Sequence, residues 1–398
     1  MIHNSRDSME IQNPISIGII GGGQLGKMIA QEAKRMSFRI IVLDPSPDSP
    51  ASSVSDEHII ANFKDGNAIT TLANKSDVLT YEIELANSEI LEKLESKNFI
   101  IHPSPQTLKI IQNKFRQKSF LRDRGIPVAE FDLIKSEADL TNLCNRFGYP
   151  CVLKVCENSY DGRGNYIIRS ENNIPEYSDY LSERQCMVEK FIPFEKEISV
   201  MIARNRSGQI SSFPIAENIH LNSILDTTIV PARISDTTIA KAEELAEKTM
   251  KALKGSGIFG IEMFVTQNEG VLVNEIAPRP HNSGHYSIEA CSISQFEQHL
   301  RAILDLPLAK PELLSPAVMV NILGPDNCNG AYLIKGLKGL LSIEGVKLHI
   351  YGKRISRPRR KLGHITVTAN SLEQAIARAY KAKNIIKIEE VNKVNKNR

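Results

Sequence analysis

Two glutamates stand in runs that are otherwise apolar. Glu262 lies within Gly260-Ile261-Glu262-Met263-Phe264-Val265, and Glu275 within Val271-Leu272-Val273-Asn274-Glu275-Ile276, with residues 267–270 as the turn between them. If the two runs pair as a hairpin, both carboxylates point to one face and meet across it. Facing carboxylates repel, a divalent cation removes the repulsion, and oxygen ligands combined with phosphate oxygens suit Mg²⁺. The plainer reading, two unrelated buried acids, requires two separate basic partners. Directly after Glu275 comes Ala277-Pro278-Arg279-Pro280-His281-Asn282-Ser283-Gly284-His285. There Arg279 can stabilise a developing acyl-phosphate charge, and His281 and Asn282 can position a substrate.

A second set of candidates lies upstream. Lys154 sits inside the apolar run 151–156, where an ammonium is costly unless an anion meets it. A phosphate contact is one reading, and an edge lysine reaching solvent is the other. Ser159-Tyr160-Asp161-Gly162-Arg163-Gly164-Asn165 follows, a turn able to close over a triphosphate with backbone N–H groups and an arginine, or simply an Asp-Gly hairpin turn. Glu189-Lys190-Phe191-Ile192 reads as an edge segment that can hold an adenine through backbone groups, and Glu197 as a group for a ribose hydroxyl. Either acid alone is otherwise a solvated charge. Gly21-Gly22-Gly23-Gln24-Leu25-Gly26 follows a strand and opens a helix, with Asp44 ending the next strand, the context of a dinucleotide-binding loop. It is equally the context of a tight turn that packs a helix on a sheet, or of a loop that recognises another phosphate or carboxylate.

The elements that must position these groups divide into three blocks, 1–112, 113–308 and 309–398. In the first, strands at 15–20, 39–43, 59–61, 77–81 and 99–101 alternate with helical stretches at 24–34 and 88–94, which predicts a doubly wound parallel sheet. Two helical stretches then lead to Gly125-Ile126-Pro127. The second block is β-rich, with strands at 151–155, 186–191, 197–202, 209–213 and 270–276, and an amphipathic helix over 240–253 with Leu245, Thr249 and Leu253 on one side. The third is a small β-rich block with strands at 317–323, 346–351 and 364–368 and a closing helix at 372–383. The fold class is therefore mixed α/β and α+β.

The 398 residues are 41% apolar and 24% charged, with a net charge of +3. That near balance argues against a polyanion as main partner, and the one basic cluster, Arg357-Pro358-Arg359-Arg360-Lys361, is a poor nucleic-acid footprint. Six cysteines without a C-x-x-C pair fit a reducing cytosol. No run reaches the ~18 apolar residues of a membrane span, and residues 1–12 read as a loose polar extension without a secretory h-region.

Further segments add to these: Leu43-Asp44-Pro45-Ser46-Pro47-Asp48-Ser49-Pro50-Ala51, Thr80-Tyr81-Glu82 and Ser292-Ile293-Ser294-Gln295-Phe296-Glu297. Together with the glycine loop, the 160–164 turn and the 274–285 run, they resemble the ATP-grasp superfamily over residues 17–368. Within it the likeness is to the purine-biosynthetic ligases acting on 5-aminoimidazole ribonucleotide. The resemblance implies an ATP-grasp fold and carboxylation of the exocyclic amine by bicarbonate through carboxyphosphate, leaving ADP and phosphate. It also implies a homodimer. ATP would meet Lys114, Lys154, Ser159, Tyr160, Asp161, Gly162, Arg163, Gly164, Asn165, Glu189, Ile192, Glu197, His220, Asn274 and Glu275, with Mg²⁺ on Glu262 and Glu275. The ribonucleotide would meet Gln24, Glu82, Tyr160, Arg163, His281 and Asn282, its phosphate Lys353 and Arg360, and the catalytic groups would be Arg279, Tyr160 and Arg163.

The chain departs from the family pattern at Asn158-Ser159, where two glycines are common, at Asn165, where Gln is common, and at Ile83-Glu84-Leu85-Ala86. Three other readings stand beside this one. One is another ATP-grasp ligase, such as a formate-dependent glycinamide ribonucleotide transformylase. The others are a dinucleotide-dependent oxidoreductase built on the glycine loop and Asp44, and a non-catalytic nucleotide-binding regulator.

Overall fold

Near-continuous apolar runs mark strands covered on both faces, and the first of them pair as expected. The computed structural model describes residues 3–5, 8–10, 14–157 and 164–391. Its N-terminal sheet is all parallel, in the order Glu57–Ile59, Arg39–Leu43, Ser16–Ile20, Val78–Tyr81. Helices Gln24–Arg35 and Gly66–Asn74 connect its strands and Ser88–Glu95 follows the last of them, the latter two helices capped by the Asp65 and Asn87 side chains. The strand expected at 99–101 is only a single parallel bridge between Leu79 and Ile101. Pro103, two residues on, has no N–H with which to extend a ladder.

Helices Pro105–Ile111 and Lys114–Arg122, capped by Ser104 and Asn113, lead to an antiparallel sheet in the order Phe131–Ile134, Cys186–Lys190, Cys151–Val155, Asn165–Ile168. This corrects the expectation of an edge segment at Glu189. The strand Phe131–Ile134 pairs along the open side of Cys186–Lys190, so the backbone groups at Glu189 are used by the ladder, and only residues past Lys190 leave the sheet.

The third sheet has nine strands, along the path Val271–Ala277, Gly257–Thr266, Phe194–Arg204, Ala216–Leu221, Ile224–Val230, Ala317–Leu323, Lys361–Thr368, Val346–Ile350, with Ile210–Ser212 paired to Phe194–Arg204. Its ladder crosses from the second block to the third, because Ile224–Val230 pairs with Ala317–Leu323. Helix Asp236–Leu253 buries Leu245, Thr249 and Leu253, and packs its apolar side with Ile198, Val200, Ile261 and Met263 into one core. Strand side chains alternate between faces, so burying those residues turns Glu197, Ser199 and Glu262 to the opposite face.

Candidate active site

That opposite face borders a large cleft of about 1530 Å³, lined from the three sheets described above. Glu262 and Glu275 are direct cross-strand partners, as the hairpin reading expects. The register shifts just beyond them, with Met263 opposite Val273, so Asn274 is an extra residue in its strand. Such a bulge re-aims side chains, and here Asn274 and Glu275 both line the cleft.

Glu262 also approaches Glu197 and His220, with one ligand atom of each within 4.8 Å of the others. The His220 Nδ1 lies 3.1 Å from Glu197 and the His281 Nε2 3.6 Å from Glu262. Burial, then the negative charge of Glu197, push the Glu262 carboxyl up to about 7, with Glu275 adding to this and His220 and Lys114 opposing it. Glu275 behaves differently. Burial raises it, but the Lys114 ammonium at 2.6 Å, with Lys154 and Lys118, outweighs that and holds it below the usual carboxylate range. A carboxylate set in which burial and mutual repulsion hold one member half-protonated near neutral pH is one that a hard cation fits, and the Glu197 and Glu275 carboxylates beside Glu262 supply the oxygen donors such an ion takes.

Lys154 meets an anion, and that anion belongs to the chain. Its Nζ lies 2.8 Å from Glu189, which Lys118 approaches from the other side at 2.8 Å, and all three side chains are at least nine-tenths buried. Burial would raise the Glu189 carboxyl, yet the two ammonium groups hold it down at about 2, while burial pushes Lys118 down to about 8. Lys154 still lines the cleft and reaches Asn274 Oδ1 at 3.4 Å.

Across the cleft, the glycine loop encloses a carboxylate rather than a dinucleotide. The Gly23 N–H donates to Glu82 Oε1 at 2.6 Å, and the Gly22 N–H to Asp44 at 2.8 Å. A Cβ at Gly21, where φ is +101°, would lie 2.7 Å from the Glu82 side chain, and one at Gly23 2.6 Å from its oxygen. The glycines therefore make room for Glu82, which takes the anion position at the helix N-terminus. Burial pushes Glu82 up to about 7, against the Gly23 hydrogen bond and the charge of Arg279. Arg279 itself pairs with Glu84 at 2.8 Å. Asn282 is buried with no partner for either amide atom among the described residues, and it lines the cleft.

Comparison with known proteins agrees with this arrangement. The ribonucleotide synthetase preATP-grasp domain model matches residues 15–112, the ATP-grasp domain model residues 119–296, and the phosphoribosylaminoimidazole carboxylase C-terminal domain model residues 317–378. The Bacillus subtilis protein named N5-carboxyaminoimidazole ribonucleotide synthase is 42% identical over 350 residues, which cover 88% of this chain and 90% of that protein. The chain belongs to this synthase family. The crystal structure of the Thermotoga maritima synthetase superposes with a TM-score of 0.88 at 48% identity, covering 95% of this chain and all of that one. The Aspergillus clavatus synthase, in complex with ADP and 5-aminoimidazole ribonucleotide, superposes at 0.86 with 38% identity, covering 94% of this chain and 98% of that one. The chain spans 67% and 64% of the longer proteins named phosphoribosylaminoimidazole carboxylase in Ogataea methanolica and Saccharomyces cerevisiae.

Within this synthase-family chain, every described residue expected at the site lines the one cleft except Gly164. The Gly164 carbonyl instead accepts the Val155 N–H at 2.9 Å. Ser159, Tyr160, Asp161, Gly162 and Arg163 lie outside the described residues. Lys353 and Arg360 face the cleft, where Lys353 Nζ donates to the Lys361 carbonyl and Arg360 to that of Ile355. The sequence reading missed Lys118, Gln117, Gln295 and Glu84. Lys114, Gln117 and Lys118 fall on one helical face by their spacing, a signal that was available. Nothing local ties Glu84 to Arg279.

Proposed function

We propose that this chain catalyses the ATP-dependent carboxylation of 5-aminoimidazole ribonucleotide by bicarbonate, giving N5-carboxyaminoimidazole ribonucleotide, ADP and phosphate in purine biosynthesis. One observation carries the reading. One cleft sets the Glu262–Glu275 pair, its lysines and the adjoining His281 opposite Glu82 and Glu84, with Arg279 paired to Glu84, in a chain that matches its synthase relatives almost end to end. The ligands of the A. clavatus complex, ADP and 5-aminoimidazole ribonucleotide, support two adjoining subsites.

In this reading Lys114, Lys154, Asn165, Glu189, Ile192, Glu197, His220 and Asn274 border the nucleotide, and the family resemblance adds residues 159–164 to its contacts. Glu262 and Glu275 hold Mg²⁺, which supplies neutralisation of phosphate charge. Lys154, already desolvated and oriented by Glu189, presents its ammonium to the polyphosphate without further reorganisation. A bicarbonate oxygen attacks the γ-phosphorus as the bond to ADP breaks, giving carboxyphosphate. Arg279 stabilises the charge on that mixed anhydride. Gln24, Glu82, His281 and Asn282 orient the ribonucleotide, with Lys353 and Arg360 on its phosphate, so that its amine takes the carboxyl group as phosphate leaves. Tyr160 and Arg163 complete the set, the resemblance implies a homodimer, and six cysteines without a C-x-x-C pair fit a reducing cytosol.

Phosphate release from ATP tests this. It should rise many-fold when 5-aminoimidazole ribonucleotide and bicarbonate are both present. Stimulation by formate and glycinamide ribonucleotide instead would assign the chain to the other ligase chemistry.

A further inference from the structure

Two buried glutamines pair with the segment between Glu275 and His281 as a neighbouring strand would. At its start, Gln117 Oε1 accepts the Ile276 N–H at 3.1 Å and Nε2 donates to the Ile276 carbonyl at 3.4 Å. At its end, Gln295 Oε1 accepts the His281 N–H and Nε2 donates to the His281 carbonyl, both at 2.9 Å. The other Nε2 hydrogen of Gln295 reaches His285 Nδ1 at 3.1 Å. Gln117 is 2% exposed and Gln295 0%. Between the two clamps stand Pro278 and Pro280, whose rings fix φ and remove two N–H donors, and between them Arg279.

The fit leaves no slack at the His281 end. A Cβ on Gly284 would lie 2.5 Å from Gln295 Oε1, and one on Gly260 2.7 Å from the His281 Cβ. Gln295 is itself anchored, its N–H donating to Ser287 Oγ at 2.9 Å. Every atom of its amide has a single assignment: the oxygen must accept and the nitrogen must donate twice. It does not line the cleft.

We propose that Gln295, with Gln117 as its counterpart at the other end, is a positioning residue that holds residues 276–281 so that Arg279 and His281 meet the reacting groups. The inference rests on the ligase reading of that loop given above. A hydrogen-bond pair at each end, with prolines between, fixes a backbone that would otherwise fold and refold around each substrate. A carboxylate at position 295 can accept from the His281 N–H but cannot donate to its carbonyl, whereas a protonated carboxyl can do both.

The test compares Gln295→Glu and Gln295→Met with the native enzyme at fixed bicarbonate, following kcat and the KM for ATP from pH 6 to 8. The titratable groups around position 295 are His281 and His285, with the His364 ring tilted against His285 and the His349 ring stacked on His364. A carboxylate at 295 also shifts the histidines it touches, so Gln295→Met, which lacks it, is followed over the same pH range as the control for their titration. At pH 8, Gln295→Glu should lose about a hundredfold in kcat, the order expected for ångström-scale misplacement, with the KM for ATP within about twofold of native. Its ratio to native should recover as the pH falls. Gln295→Met, which keeps the volume and removes all three hydrogen bonds, should be slow at every pH and remain testable if the charged variant does not fold. A folded Gln295→Met with native kcat would overturn the proposal. A native enzyme without substrate-stimulated phosphate release would instead overturn the ligase reading.

Discussion

Glu189→Gln isolates the buried charge cluster beneath the nucleotide wall. Glu189 is the only anion within 2.8 Å of both Lys118 and Lys154 among the described pairs, and the amide is nearly isosteric, so the change removes charge and little volume. The folded carboxyl is held at about 2 against an ordinary 4.5. At 1.36 kcal/mol per pH unit this corresponds to about 3 kcal/mol of stability, in line with the ~3–5 kcal/mol typical of deleting one partner of a buried ion pair. A carboxylate depressed in the folded state stabilises above its unfolded pKa, so this contribution is present above pH 4.5 and lost as pH falls towards 2. Urea denaturation followed by circular dichroism at pH 7 should therefore show a deficit of about 3 kcal/mol. The deficit should shrink as pH rises. Burial already pushes Lys118 down to about 8, and without Glu189 it falls further, so the variant sheds that proton earlier. Equal stability at pH 7, with parallel pH profiles, would refute the claim that Glu189 carries both lysines.

Two further substitutions test the walls of the cleft. Glu275→Gln should lower substrate-stimulated phosphate release at least about a hundredfold, because a neutral amide is a poor metal ligand and Lys114 loses its 2.6 Å partner; near-native turnover would remove Glu275 from the metal site. Glu82→Gln should change the pH dependence of folding. The folded Glu82 is raised to about 7 from 4.5, so the folded state binds the extra proton, and stability is full below pH 4.5 and declines by about 3 kcal/mol as pH rises to 7. The variant lacks that decline and should gain on the native protein across the window, as read from melting temperatures; parallel curves would show that Glu82 is not held half-protonated.

Much of this site was legible because its carboxylates interrupt apolar strands. Glu262 and Glu275 stand out by type, and the turn at 267–270 brings them together locally, so pattern alone yields the pairing. The bulge at Asn274 was not legible, since one extra residue scarcely disturbs the apolar run that contains it. The glycine loop shows how far local reading reaches. Its residues announced a tight approach to an anion, and both the dinucleotide and the carboxylate readings were consistent with that. Only the parallel pairing of Ser16–Ile20 with Val78–Tyr81 delivers Glu82 to the loop and decides between them.

The same limit explains the misplaced edge at Glu189. Whether a strand lies at an edge is a property of its neighbours, and here the neighbour, Phe131–Ile134, is four residues long and has too short a pattern to stand out from a helical or loop reading. Charges follow the same rule as strands. Lys154 read as a buried cation in search of an anion, for which a phosphate was one sound reading, and Lys114 entered only through the family resemblance. The protein contacts of Lys114 and Lys154 lie 161 and 120 residues away, at Glu275 and Asn274, and the carboxylate of Glu189 arrives on the strand adjacent to Lys154. A periodicity window of about 18 residues identifies what a side chain requires; sheet order determines who supplies it. In this cleft the chain supplies part of the anion itself, which keeps two lysines charged and oriented in a desolvated wall before any polyphosphate enters.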